Sequence, residues 1–471
     1  MESSTSEIKK NKAVELIKFL LSSPVYPFLT AIVVTVCYYL SLDIVTILYL
    51  GITGTLVLLL LDDISPIVNV FLFVNVFISW ENSPSSVRGN SDYYLTPQIL
   101  VPTVTIVAIL IGAFIFRFVK VCRNKKFRIT PMFFGLVLLA IALLLNGLLN
   151  KDYIIYNILF AGVLAFAFLG VYCLVKDNLS GDRACVLRVC YALVALGLTM
   201  TVMLAEIYIT NENIFVDGII NRSEIRFGWG VYTHYGVFTM CIPAAVYLAY
   251  AKKLGFIYTA ISFIFVITTV LSCCRHAMVS VAIIYPVSAL VLLFKGKYKI
   301  TNLCILAACL IGTFVFMGIF EEQVIDFFKT VYDNIIVDGK LNGSGRMELF
   351  RQALEDFKNF PVFGRGFYKF LGDSKIGFAI PPLNMYHNTV LEMMGSCGAV
   401  GLIAYLFHRL QTVICYFRKV TVERTFIVLI ILALLISSLL DRHVLAIAPT
   451  LTYSLLIAVL VKSGEKPKVE S

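Results

Sequence analysis

Apolar residues along this chain come in long blocks separated by polar segments. The blocks run roughly 17–24 positions, the length a helix needs to cross about 30 Å of hydrocarbon at 1.5 Å per residue. Barrel strands would instead be shorter and alternate apolar with polar positions, and no such alternation occurs. The pattern predicts an all-α, polytopic transmembrane bundle of about 12–14 spans. Fourteen stretches qualify: 25–40, 44–61, 66–80, 98–119, 131–149, 153–175, 186–209, 235–251, 254–273, 277–294, 300–320, 387–407, 424–440 and 443–461. The bundle then occupies 25–461, between a leader at 1–24 and a tail at 462–471.

Composition agrees. The chain is 59% hydrophobic and only 14% charged, with a mean hydropathy of +0.88; a soluble domain carries about 25% charge. Most of the twelve cysteines sit inside apolar blocks, for instance Cys37, Cys173, Cys241 and Cys304. With no C-x-x-C pair present, they read as small buried hydrophobes.

Charge sets the orientation, because Lys and Arg of short loops stay cytoplasmic. With the N-terminus inside, the inner segments collect Lys9, Lys10, Lys12 and Lys18, then Arg117, Lys120, Arg123, Lys125, Lys126 and Arg128. They continue with Lys176, Arg183 and Arg188, Lys252 and Lys253, Lys295, Lys297 and Lys299, Arg409, Arg418, Lys419 and Arg424, and Lys462, Lys466 and Lys468. The short outer loops hold only Arg88, Lys151, Arg222, Arg226, Arg275 and Arg442. Both termini are therefore expected in the cytoplasm of a cell whose cytoplasmic membrane holds the bundle. The net charge of +10 follows from topology and leaves no nucleic-acid footprint. The long loop at 321–386 falls outside. Within it Val324, Phe327, Phe328, Val331 and Ile335 recur at helical spacing, as do Met347, Phe350, Ala353, Leu354 and Phe357. Two amphipathic helices over the membrane face are expected, the second ending at Phe360-Pro361.

The informative polar residues gather on that outer side. Arg275 follows the apolar run Phe263–Cys274, and a guanidinium keeps its charge and grips phosphate through paired donors. Arg226 opens a glycine- and aromatic-rich stretch to Gly236 that includes His234. Arg346 starts the second loop helix, and Phe363-Gly364-Arg365-Gly366-Phe367 reads as a compact turn. His387, one of five histidines, opens a late span, and imidazole titrates where a general base must.

Ser344-Gly345-Arg346-x-x-Leu349-Phe350-x-x-Ala353, then Pro361-Val362-Phe363-Gly364-Arg365-Gly366, then His387-Asn388-x-x-Leu391 and Gly395-x-x-Gly398-Ala399-Val400-Gly401-Leu402 form an ordered set. With Ser272-x-x-Arg275 and Arg226-x-Gly228, the set resembles the O-antigen ligase and polymerase-like membrane proteins of bacterial cell-surface glycan assembly. The resemblant core spans 220–405. It departs in carrying Phe350 where tryptophan is usual, Tyr232-Thr233-His234 in place of an asparagine-rich stretch, and Cys273-Cys274 beside Arg275.

The resemblance implies transfer of a glycan from an undecaprenyl-diphosphate carrier to a glycan or lipid-linked acceptor on the outer face of the membrane. It implies His387 as the catalytic base, Arg226, Arg275 and Arg346 on the diphosphate, and Asn388, Arg365 and His234 in support. No acidic cluster with metal-ligand spacing appears outside, so catalysis without metal or cofactor is expected. A transporter or flippase of a lipid-linked glycan is the alternative. It would want charges at several depths of a central cavity, and the mid-membrane stretches are nearly charge-free.

Overall fold

The computed structural model describes residues 2–78, 96–124, 129–216, 219–220, 225, 236–319, 346–368, 386–441 and 443–464, with isolated positions between 321 and 341. The helices are α1 (Glu2–Ser22), α2 (Val25–Tyr39), α3 (Asp43–Leu60), α4 (Val68–Ile78), α5 (Pro97–Asn124) and α6 (Pro131–Leu144). Next come α7 (Ile155–Ala165), joined through a π turn at Phe166–Gly170 to α8 (Val171–Asp177), and α9 (Arg183–Thr210). The second half holds α10 (Cys241–Ala251), α11 (Gly255–Leu271), α12 (Arg275–Lys295), α13 (Lys299–Ile319), α14 (Arg346–Asn359), α15 (Thr389–Phe417), α16 (Val422–Ser438) and α17 (Ile447–Lys462). Two two-residue antiparallel ladders, Phe215–Val216 with Ile219–Ile220 and Ile336–Val337 with Lys340–Leu341, are the strands among the described residues. The fold is an all-α bundle.

Every one of the fourteen apolar stretches coincides with a helix, but length divides them. Among the described residues, seven helices are long and apolar enough to cross a membrane, or eight if α1 and α2, bent by 82°, count as one span. Helices such as α6, α11 and α17 are shorter, at 14, 17 and 16 residues. At 1.5 Å per residue these reach only about 21–26 Å, less than the hydrocarbon thickness. α6 and α11 keep outward faces, with Phe134, Leu138 and Ile141 on the first and Ile257 and Ile264 on the second exposed. α17 is buried from Thr452 through Leu460. By contrast, Asn302 is the only buried residue of α13, held by a 2.8 Å hydrogen bond from the Thr259 hydroxyl. Leu310, Ile311, Phe314 and Ile319 on α13 face outward, as lipid-facing positions do.

α15 runs to Phe417 rather than stopping at 407, so Arg409 lies within the helix instead of in a loop. Its guanidinium stacks on the rings of Tyr405 and Tyr453, 4.4 and 4.6 Å from their centroids, which stabilises a charge without a carboxylate.

α15 is also broken. Gly398 has φ 66° and ψ −159°, which frees four backbone groups that the helix would have paired. Inside an apolar bundle each of these must find a partner. The turn Pro361–Gly366 supplies all four. Arg365 and Gly366 donate their N–H groups to the carbonyls of Gly395 and Ser396 at 2.8 and 3.0 Å. Ala399 and Val400 donate to Pro361 and Val362 at 2.8 and 3.2 Å. The turn is held on its far side by Gly147, whose N–H reaches the Phe363 carbonyl at 2.8 Å, and by Asn150, whose amide reaches that of Arg365 at 2.9 Å. A methyl on Gly398 would run into the Val362 carbonyl.

The second loop helix forms as expected and ends before Phe360, but its inward face differs from the expected apolar stripe. Met347 and Leu354 are exposed, and the buried residues are Ala353 and Asp356. Asp356 is inward because it accepts from Arg365 at 2.9 Å and from the Tyr386 hydroxyl at 2.7 Å. Much of the first expected loop helix, 324–335, lies outside the described residues.

A Gly398→Ala substitution is expected to cost about 1–2 kcal/mol for the left-handed backbone alone, and more for the carbonyl clash. It should lower the thermal unfolding midpoint of the detergent-purified protein clearly. Gly112→Ala, where the added methyl meets nothing within 4 Å, should leave the midpoint unchanged or slightly higher, since alanine is the better helix former.

Candidate active site

Three separate segments meet at one end of the bundle. The first is the turn Ser272–Cys274 between α11 and α12. Ser272 and Cys273 donate their N–H groups to the carbonyls of Thr268 and Val270 at 2.9 and 3.0 Å, and Cys274 N–H reaches the Ser272 hydroxyl at 3.2 Å. This reversal starts α12 at Arg275 with His276 next. The second is Tyr386–Asn388. Asn388 caps α15 by accepting from the N–H groups of Val390 and Leu391 at 2.9 and 3.1 Å, and its amide donates to the Leu439 carbonyl at 2.7 Å. The third is the loop between α16 and α17, which carries Asp441 and His443.

His387 lies between these segments. Its Nδ1 is 3.2 Å from Asp441 Oδ1, and the imidazole is 35% exposed while the carboxylate is 9% exposed. An imidazole partly open to solvent is thus held by a carboxylate that is not. His387 has φ 50° and Cys273 has φ 51°, a left-handed conformation that non-glycine residues rarely adopt. Both occur in segments that build the site, where such strain concentrates when surrounding bonds over-determine it.

Behind Asp441 stand two more imidazoles. One ligand atom from each of His276, Asp441 and His443 lies within 4.8 Å of the others, and all three residues are buried. The two rings tilt at 45° with centroids 4.7 Å apart, and Cys274 Sγ is 3.3 Å from the His276 ring. Burial alone would push the Asp441 carboxyl up. The hydrogen bond from His387, with the positive character of His443, His276 and His387, outweighs it and holds the group well below the usual carboxylate range. Asp441 is therefore an anion at neutral pH. An anionic carboxylate can only accept, so Nδ1 of His387 carries the proton that faces it, and in the neutral imidazole Nε2 presents a lone pair. Two imidazoles and a carboxylate are also the donor set that zinc-class ions favour over magnesium or calcium.

The sequence-derived residues divide accordingly. His387 stands at the centre. Arg275, half-buried, begins α12 one position before His276. Arg346 begins α14, which packs along α15. Asn388 is a helix cap that ties α15 to the Asp441 loop, and Arg365 is part of the clamp on broken α15; both hold the scaffold. Arg226 and His234 lie outside the described residues. Asp441, His276 and His443 were missed by reasoning from sequence. The available signal was the Asp441-Arg442-His443 triplet between two apolar blocks, and a histidine directly after Arg275.

Residues 260–406 match the family model described as O-antigen ligase. Over that segment the chain is O-antigen ligase-like. The match takes in Arg275, α14, the clamp, His387 and the first half of α15, whereas Asp441 and His443 follow it. No curated protein matches the chain. The apolar helices and the matched segment make this a multi-pass membrane protein of glycan processing.

Because the folded pKa of Asp441 lies below its unfolded value of about 3.9, its contribution to stability is complete above that pH and lost as pH falls further. An Asp441→Asn protein should therefore melt below wild type at both pH 7.5 and pH 5.5. That margin should narrow below about pH 4, as followed by intrinsic fluorescence in detergent.

Proposed function

We propose that the protein transfers a glycan from an undecaprenyl-diphosphate carrier to an acceptor hydroxyl at the extracytoplasmic face of the cytoplasmic membrane, as an O-antigen ligase or polysaccharide polymerase does. The observation that carries this reading is the His387–Asp441 pair. It leaves Nε2 as a lone pair on a half-exposed ring, backed by a buried anion. Nε2 takes the proton of the acceptor hydroxyl as its oxygen attacks the anomeric carbon. The bond from that carbon to the diphosphate oxygen breaks, and the carrier diphosphate leaves with the electron pair. Asp441 fixes the tautomer and stabilises the imidazolium that forms. The proton then passes to solvent.

Negative charge grows on the diphosphate as the bond breaks, and fixed cations there lower the barrier. Arg275 and Arg346 are the proposed holders, with Arg226 added on the resemblance. Arg275 is supported by its position beside His276, which belongs to the Asp441 cluster. The large loop would roof this site through α14.

Purified protein given a lipid-diphosphate glycan and an acceptor tests the proposal. His387→Ala should lose transfer by on the order of 10²–10⁴-fold, the usual worth of a positioned base. Asp441→Asn should also lose on the order of 10²-fold or more, because an amide no longer fixes the tautomer. Arg275→Ala should abolish turnover, and Arg275→Lys should restore little of it, since an ammonium lacks the forked donors. Wild-type turnover in His387→Ala would sink the proposed base. Laddered products would assign a polymerase, and a single capped product a ligase.

A further inference from the structure

At the other end of α15, some 29 residues from the site and so roughly 40 Å along the helix, a different arrangement of charge stands without explanation. Arg424, near the start of α16, is only 2% exposed. Its Nη2 donates to the Cys415 carbonyl, while its Nε makes no hydrogen bond. Among the described residues no carboxylate pairs with it. A guanidinium cannot shed its charge, and a buried charge without a counter-ion is strongly unfavourable. The side chain lines a cavity of about 660 Å³, well within the size of ligand sites. Arg418 and Lys419, both exposed, stand on its rim, and Met132, Phe407, Ile414 and Val461 form apolar walls. One further polar atom in the cavity is orphaned: the buried Gln411 Oε1 accepts nothing. The backbone of Gly464 lies against the guanidinium, where any side chain would displace Arg424.

Among the described residues, a buried cation without a carboxylate, two more cations at the mouth, an acceptor without a donor and an apolar wall fit an amphiphilic ligand with an anionic head. We propose that this cavity binds the phosphate of an anionic phospholipid whose headgroup also carries a hydroxyl. Arg424 holds the phosphate through its free donors, as guanidinium does. Arg418 and Lys419 draw the headgroup in, Gln411 Oε1 accepts from the headgroup hydroxyl, and the acyl chain follows the Phe407–Ile414 wall toward the bilayer. Basic pockets between spans on the Lys- and Arg-rich side are where such headgroups are held. The site is separate from the His387 end, and its test needs no turnover.

The test uses the full chain, purified in a neutral detergent and titrated with phosphatidylglycerol, phosphatidylcholine or inorganic phosphate. Binding is read by native mass spectrometry and by the shift in unfolding midpoint. Phosphatidylglycerol should bind and raise the midpoint, phosphatidylcholine should do neither, and millimolar phosphate should protect far less. Arg424→Gln should weaken phosphatidylglycerol binding at least tenfold. Because that variant disturbs a buried site, the exposed rim pair Arg418→Gln with Lys419→Gln gives a second reading, expected to weaken binding several-fold. Equal binding of the two lipids by wild type, or unchanged affinity in the rim variant, would overturn the proposal. Phosphate protecting as well as phosphatidylglycerol would replace the lipid with a free anion.

Discussion

The bundle depends on one constraint, that no backbone polar group inside it can be left to water. α15 breaks at Gly398, and a break at that depth survives only because another strand of backbone completes it. The Pro361–Gly366 turn supplies two donors and two acceptors to the freed groups, so the turn behaves as a missing piece of the helix. Everything above it inherits that position. Asp356 on α14 reaches Arg365 of the turn and Tyr386 before α15, so α14, the clamp and the approach to His387 form one connected unit. Glu392, buried in the first turn of α15, adds to it by accepting from the Tyr386 N–H at 3.0 Å. A helix kink thus sets where a catalytic candidate begins.

The two ends of the bundle solve the burial of charge in opposite ways. At the His387 end a buried carboxylate is surrounded by imidazoles, groups that lend positive character or a lone pair as required. At the far end an arginine is buried, and among the described residues no carboxylate pairs with it. Toward the middle of the chain's late helices, the charge of Arg409 is covered by the rings of Tyr405 and Tyr453. A path for a charged glycan carrier through the bundle would want polar side chains at intermediate depth. Concentration at the ends suits chemistry at one face and lipid contact at the other.

His387 shows how little of a site one residue defines. Its backbone is left-handed, its neighbour Asn388 is spent on capping and on the Leu439 carbonyl, and Thr389 bonds the Asp441 carbonyl at 3.3 Å. Each of these ties fixes the imidazole relative to Asp441 more tightly than a single hydrogen bond could. Preorganisation of that kind lets a base act without reorganisation during the reaction.

The sequence by itself determined the class of the fold and the positions of the apolar helices. Those depend on hydrocarbon thickness and helical rise, which act on contiguous residues and so leave a local pattern. The end of α14 before Phe360-Pro361 was legible for the same reason. Only the tertiary structure decided which helices are long enough to span, that Met347 and Leu354 face out while Asp356 faces in, and that Arg365 and Asn388 serve the scaffold. It also brought Asp441, His276 and His443 to His387. Those residues come from segments far apart in the chain, and no spacing rule connects groups whose proximity is made by helices packing side by side.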